Sequence, residues 1–195
     1  TVNISFRGKA LTVPVVIKNA VKDRRVSFQQ DVVPVFTAAG CNTGACHGSA
    51  RGQDGFMISL FGYDPKGDYQ RVTREFAGRR INLALPEESL LLTKTIGTVP
   101  HTGGKLFEKD SPFYSTLLEW IKDGANYDPA EIALPVKIEV EPKEFLLEGS
   151  GKDIPLTVKA TYSDGTDRDV STLSNYTSSN DNSISVDASS GVTSS

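Results

Sequence analysis

Three textures follow one another along the chain. Residues 1–19 alternate apolar and polar positions, Val2-Asn3-Ile4-Ser5-Phe6 and then Leu11-Thr12-Val13, on either side of Arg7-Gly8-Lys9. Alternation of β-branched residues around a glycine turn predicts a β-hairpin. From Ser27 the period lengthens. Phe28, Val32, Val35, Phe36 and Ala39 share one helical face, Ser27 and Gln30 have capping-box spacing, and Gly40 stops the run. Pro34 deletes one backbone hydrogen bond inside it and is expected to bend the helix. A second helix is predicted from a cap at Asp110 or Ser111, through Pro112 in the first turn, to Gly124, with Phe113, Leu117, Leu118, Trp120 and Ile121 as its apolar stripe. Shorter helices are predicted over 68–76 and 86–95. After Pro135 the two-residue period returns in 136–142 and 154–162, the latter running into the turn Ser163-Asp164-Gly165-Thr166. Short strands with turns at this spacing predict a β-sandwich.

Charge divides along the same lines. Residues 1–26 carry +5, residues 27–135 carry −3 and residues 136–195 carry −5, for a net −3. So mild a total argues against nucleic acid or an anionic membrane as partner. No apolar run is long enough to span a bilayer, so no membrane insertion is expected. No nucleophile–base pair or acidic dyad stands out, so the chain does not read as an enzyme.

The chemistry is concentrated in Cys41-Asn42-Thr43-Gly44-Ala45-Cys46-His47, which holds both cysteines and one of the two histidines. Two thiols followed at once by a histidine are what covalent attachment of a c-type haem requires, with thioethers from the cysteines and an iron bond from the imidazole. The usual spelling is C-x-x-C-H, and this one is C-x4-C-H; Gly44 supplies the freedom to loop out two residues. Three other readings stay open on spacing alone: a local disulfide, a zinc site completed by His101, and two unconnected buried thiols.

The wider order of motifs adds to this. Val26-Ser27-Phe28, Gly40-Cys41-Asn42, Gly44-Ala45-Cys46-His47-Gly48, Ser59-Leu60-Phe61-Gly62-Tyr63-Asp64, Gly78-Arg79-Arg80-Ile81-Asn82, Pro100-His101-Thr102-Gly103-Gly104 and Trp120-Ile121-Lys122-Asp123-Gly124-Ala125 follow in sequence. This run resembles a planctomycete cytochrome c-like domain, related to class I cytochromes c, over roughly residues 21–128. Residues 136–195 resemble a bacterial immunoglobulin-like domain of group 2. Together the resemblances imply a multidomain chain, with an all-α class I cytochrome c-like domain and an all-β immunoglobulin-like sandwich. Residues 1–20 then read as a hairpin closing a preceding immunoglobulin-like domain, 21–130 as the haem domain, and 131–195 as a truncated sandwich.

The same resemblance implies one covalent haem c on Cys41 and Cys46, with His47 as proximal ligand and the distal ligand delivered by the loop before the closing helix. His101 lies in that loop. Met57, the sole methionine, is the alternative. Arg79 and Arg80, and beside them Lys94 and Lys105, are candidate partners for the haem propionates. Phe56, Phe61, Leu91, Leu92, Phe107 and Trp120 are candidate pocket walls. Two imidazole ligands imply a low-potential electron carrier, exported or periplasmic, that exchanges electrons with another redox protein. The alternatives are a haem-based ligand sensor and a haem-free scaffold of immunoglobulin-like repeats. The basic hairpin and the acidic sandwich are expected to pair through the sandwich edge, within one molecule or head to tail. The simpler arrangement packs the hairpin on the helical core.

Overall fold

Strands β1 (Val2–Phe6) and β2 (Lys9–Val13) form the expected hairpin, in register Val2 to Val13 and Ile4 to Leu11. Arg7 and Gly8 make the two-residue turn with φ of 46° and 76°, the left-handed pair that suits the twist of a hairpin. This computed structural model describes residues 1–15, 24–146, 154–180, 184–187 and 192–194. The part of the hairpin expected over 16–19, and the boundary expected near residue 20, lie outside the described residues.

Ser27 caps the first helical segment by accepting a hydrogen bond from the Gln30 N–H at 2.9 Å. The reciprocal half of the capping box is not made. Asp31 Oδ2 accepts from the Ser27 N–H at 2.7 Å instead, and the Gln30 side chain donates to the Ala133 carbonyl. Pro34 has no N–H to give to Gln30. The turn ahead of it widens accordingly: Val32 and Val33 reach back five residues to Ser27 and Phe28, making Phe28–Val32 a π-helical turn before helix α1 (Val33–Ala38).

Helix α2 (Pro65–Thr73) starts where Asp64 accepts from the Gly67 N–H at 3.0 Å, three residues before the expected start. It also stops early, because in the short segment α3 (Glu75–Gly78) Phe76 and Ala77 take left-handed φ values of 51° and 55°. Helix α4 (Leu90–Thr95) follows a 3-10 turn at Pro86–Glu88, and α5 (Pro112–Lys122) is capped by Ser111. Buried side chains from these elements, including Phe28, Val35, Val72, Leu92, Leu117 and Trp120, form one core. Ser59 is pinned beneath it: its N–H and hydroxyl donate to the buried Asp68 carboxylate at 2.6 and 2.5 Å, fixing the extended segment that carries Phe56 and Ile58.

The remaining strands among the described residues, all antiparallel, form two sheets of three. β3 (Pro135–Glu141), β5 (Thr157–Tyr162) and β6 (Asp167–Asp169) make one; β4 (Ile154–Pro155), β8 (Val192–Ser194) and β7 (Ser185–Asp187) make the other.

The expected fold class is overturned. An all-α cytochrome c-like domain joined to an all-β immunoglobulin-like sandwich is not what forms: the chain is mixed, 30% helical and 19% strand, with five short α-helices and small separate sheets among the described residues. The physical reason lies in two long-range contacts. Leu173, from the strand-rich part, packs on the helical core, and Arg168 donates to Asp31 at 2.6 Å across 137 positions. The strand-rich part thus uses the helical part as a packing surface. The hairpin does neither of the things expected of it within the chain. Every residue of β1 and β2 is exposed, and their sheet has no third strand among the described residues.

Candidate functional site

Helix α1 ends so as to deliver Cys41 to a fixed place. The Gly40 N–H bonds the Thr37 carbonyl at 3.0 Å and the Cys41 N–H bonds that of Phe36 at 2.8 Å, with Gly40 at φ 73°, a Schellman motif that only glycine enters without strain. The loop beyond it closes on itself. The His47 N–H donates to the Cys41 carbonyl at 3.0 Å, and the Cys46 and Gly48 N–H groups both donate to Thr43. Gly44 does not take a left-handed φ, so successive turns absorb the two extra residues of the motif. Gly48 is required for a different reason: a Cβ there would overlap the Asn42 carbonyl.

His47 is held from both sides. Its carbonyl accepts from the Ile58 N–H at 2.9 Å, and its ring Nδ1 lies 2.9 Å from the Phe56 carbonyl. A carbonyl only accepts, so Nδ1 carries the proton and Nε2 keeps its lone pair. His101, 54 positions later, is arranged alike, with Nδ1 2.8 Å from the Gly104 carbonyl. The two imidazole planes are within 12° of parallel and their centroids are 6.1 Å apart.

Cys41, Cys46, His47, Arg79, Arg80 and His101 all line one cavity of about 350 Å³, within the range that holds cofactor-sized ligands. Its walls are mostly apolar, and Phe56, Ile58, Leu91 and Leu106 are among them. Met57 is not. Its neighbours Phe56 and Ile58 both line the cavity. Of the other candidate wall residues, Phe61 is exposed, while Leu92, Phe107 and Trp120 belong to the core and not to the cavity lining.

Arg79 is exposed at the cavity and Lys94 half-buried there. Arg80 is already occupied: it donates to the Arg71 carbonyl at 2.8 Å and the Gly55 carbonyl at 3.4 Å, and its guanidinium lies 4.1 Å from the Phe56 ring centroid. Lys105 is outside the cavity lining, paired with Glu108. Sequence reasoning missed Phe36, Thr95 and Leu106 as lining residues. Only their apolar or helical context was visible, and that did not distinguish them from core.

Burial, with Cys46 beside it, pushes the Cys41 thiol up to about 12. Such a thiol is protonated at neutral pH and is a poor thiolate ligand. Both cysteines are free, and no group of three or more His, Cys, Asp or Glu placed to hold a metal ion occurs among the described residues. The disulfide and zinc readings therefore find no support in the geometry.

Burial also lowers the His47 pKa below its ordinary 6.5, outweighing the Phe56 hydrogen bond, with His101, Arg80 and Lys94 lowering it further. The folded ring gives up its proton more readily than the unfolded one. In the cofactor-free protein its contribution is therefore complete above about 6.5 and is lost as pH falls through the lowered folded value. Urea titrations of the wild type and His47→Asn across pH 7.5 to 4.5 should show the wild type losing stability more steeply in acid. Parallel curves would refute this.

No family model matches this chain, and neither does any curated protein or solved structure compared with it.

Proposed function

We propose that the cavity holds one covalently attached haem, joined through thioethers to Cys41 and Cys46 with His47 and His101 on its two faces, and that the chain serves as an electron-carrying module. The imidazole pair is the observation that carries this reading. Both rings have Nδ1 tied to a backbone carbonyl, and their centroids are 6.1 Å apart. A centroid separation of 6.1 Å leaves room for one metal ion that both Nε2 atoms would hold.

The residues divide the work. The Phe56 carbonyl fixes the His47 tautomer, and burial keeps that ring neutral and available as a ligand. The Cys41 and Cys46 sulfurs would anchor the group beyond the end of α1. Arg79 and Lys94 are the cavity cations best placed to face carboxylates, since Arg80 already serves two carbonyls. Bound haem supplies a one-electron iron couple, at lower potential with two imidazoles than with a thioether on one face. The partner is another redox protein. Covalent attachment of this kind takes place outside the cytosol in bacteria, so an exported or periplasmic location goes with the proposal.

A second reading, a ligand sensor in which His101 swings aside, draws on the exposure of its loop, where Thr102 meets Asp54 through a 3.4 Å hydrogen bond. One experiment addresses both. Protein matured in a periplasm competent for haem attachment is unfolded, stripped of non-covalent haem and read as a reduced pyridine haemochrome; the native ferrous spectrum is then recorded with and without carbon monoxide. The expected result is a c-type band that survives extraction, no change with carbon monoxide in the wild type, and a carbon monoxide spectrum in His101→Ala. A carbon monoxide response in the wild type selects the sensor. No surviving band overturns the haem reading and leaves a haem-free scaffold.

A further inference from the structure

Among the described residues, two apolar faces have nothing on them. On the hairpin, Val2, Ile4, Phe6, Leu11 and Val13 share one side, because cross-strand pairs and alternate residues do so, and all are between 37% and 73% exposed. The opposite side carries Asn3, Ser5, Ala10 and Thr12. Water thus bathes the face built for packing, on a two-stranded hairpin that is marginal by itself.

The second face is on the β3 sheet. Ile138 pairs with Ala160 and Val140 with Val158, so these side chains share one side. Val158, Ala160 and Tyr162 on β5 are buried, whereas Val136, Ile138 and Val140 on β3 are 65%, 69% and 41% exposed. The sheet is covered over β5 and bare over β3.

We infer that the hairpin of one molecule docks on the bare β3 face of a second copy of this chain. Three features select this occupant. Size is the first: five-residue strands are roughly 17 Å long, against roughly 24 Å for the seven-residue β3. Charge is the second. Residues 1–15 carry Arg7 and Lys9 and no acid, while residues 136–195 carry a net −5, and opposite net charge favours their encounter. The third is that each chain presents one of each face and, among the described residues, mates neither internally. The contact is therefore heterologous, and it extends into open head-to-tail chains.

A heterologous contact makes a demand that neither general stickiness nor a two-fold dimer meets. The experiment is sedimentation equilibrium on the whole 21.0 kDa chain, using wild type, the hairpin variant Ile4→Glu/Leu11→Glu and the receiving-face variant Ile138→Glu. All three positions are exposed, so the variants should fold, which circular dichroism verifies. Wild-type mass should rise continuously with concentration. Each variant alone should stay at one chain, its association weakened at least about tenfold. An equimolar mixture should form a complex of two chains and stop there, because the one intact hairpin meets the one intact face. A wild type that stays monomeric overturns the inference, including the case in which the hairpin folds back on its own sheet. A variant that still associates alone, or a mixture that fails to pair, overturns it equally.

Discussion

Asp31→Ala is expected to destabilise the protein by about 3–5 kcal/mol, the range for removing one member of a buried ion-paired network. The carboxylate is 4% exposed and accepts from three directions: Arg24 and the Ser27 N–H at Oδ2, and Arg168 at Oδ1. Its removal strips the N-terminus of the π-helical turn of a partner. It also leaves the Arg168 guanidinium, only 24% exposed, without its carboxylate. Against a typical total of about 5–15 kcal/mol this is a large share. Arg24→Ala should cost far less, since that side chain is 45% exposed and solvated. Urea unfolding of Asp31→Ala, Arg168→Ala and the double variant checks the argument. Strong non-additivity is expected; additive losses would mean that the two residues act separately and that the helical and strand-rich parts are not joined there.

Phe28→Ala is expected to cost a similar or larger amount, about 3–5 kcal/mol from lost burial plus the cavity left behind. Phe28 is fully buried, with ring centroids 5.3 Å from Trp120, 5.4 Å from Tyr69, 6.0 Å from Tyr127 and 6.5 Å from Phe36. These neighbours come from α1, α2, α5 and the segment after α5, so no single element can relax to close the gap. Phe28→Leu keeps most of the volume and should lose clearly less. Equal losses from both substitutions would show that ring geometry, and not volume, sets the stability of this core.

Much of this was legible before any coordinates. The helices at 33–38 and 112–122 announced themselves by period, by Ser27 and Ser111 as caps, and by Gly40 and Gly124 as stops, because those signals are local. The hairpin turn at Arg7-Gly8 was legible for the same reason. Where local signals competed, the reading slipped. Asp64-Pro65 is a sufficient start signal for α2 and competes with Asp68, and nothing near Phe76 advertises a left-handed turn. Gln30 had the spacing of a capping box, but Ala133, 103 positions away, claimed its side chain. The fold class failed on such distant contacts: that Arg168 would reach Asp31 is a fact of three dimensions. In the site, the local motif Cys41 to His47 was plain, and His101 was reached only through resemblance. The commitment of Arg80 to two carbonyls, and the place of Met57 outside the cavity lining, have no signal in the one-dimensional pattern.

The two histidines differ in how deeply they are woven into the chain. His101 bonds within its own loop, Nδ1 to the Gly104 carbonyl and its own carbonyl to the Gly104 N–H, whereas His47 is tied to Cys41, Phe56 and Ile58. A change at 101 disturbs four residues, and a change at 47 disturbs the turn, the extended segment behind it and, through both, the core. On structural grounds a substitution at 101 is confined to its own loop, whereas one at 47 reaches the core. One side of the cavity is thus open to evolutionary trial at little structural risk, and a lineage carrying this fold can retune its chemistry without refounding its architecture.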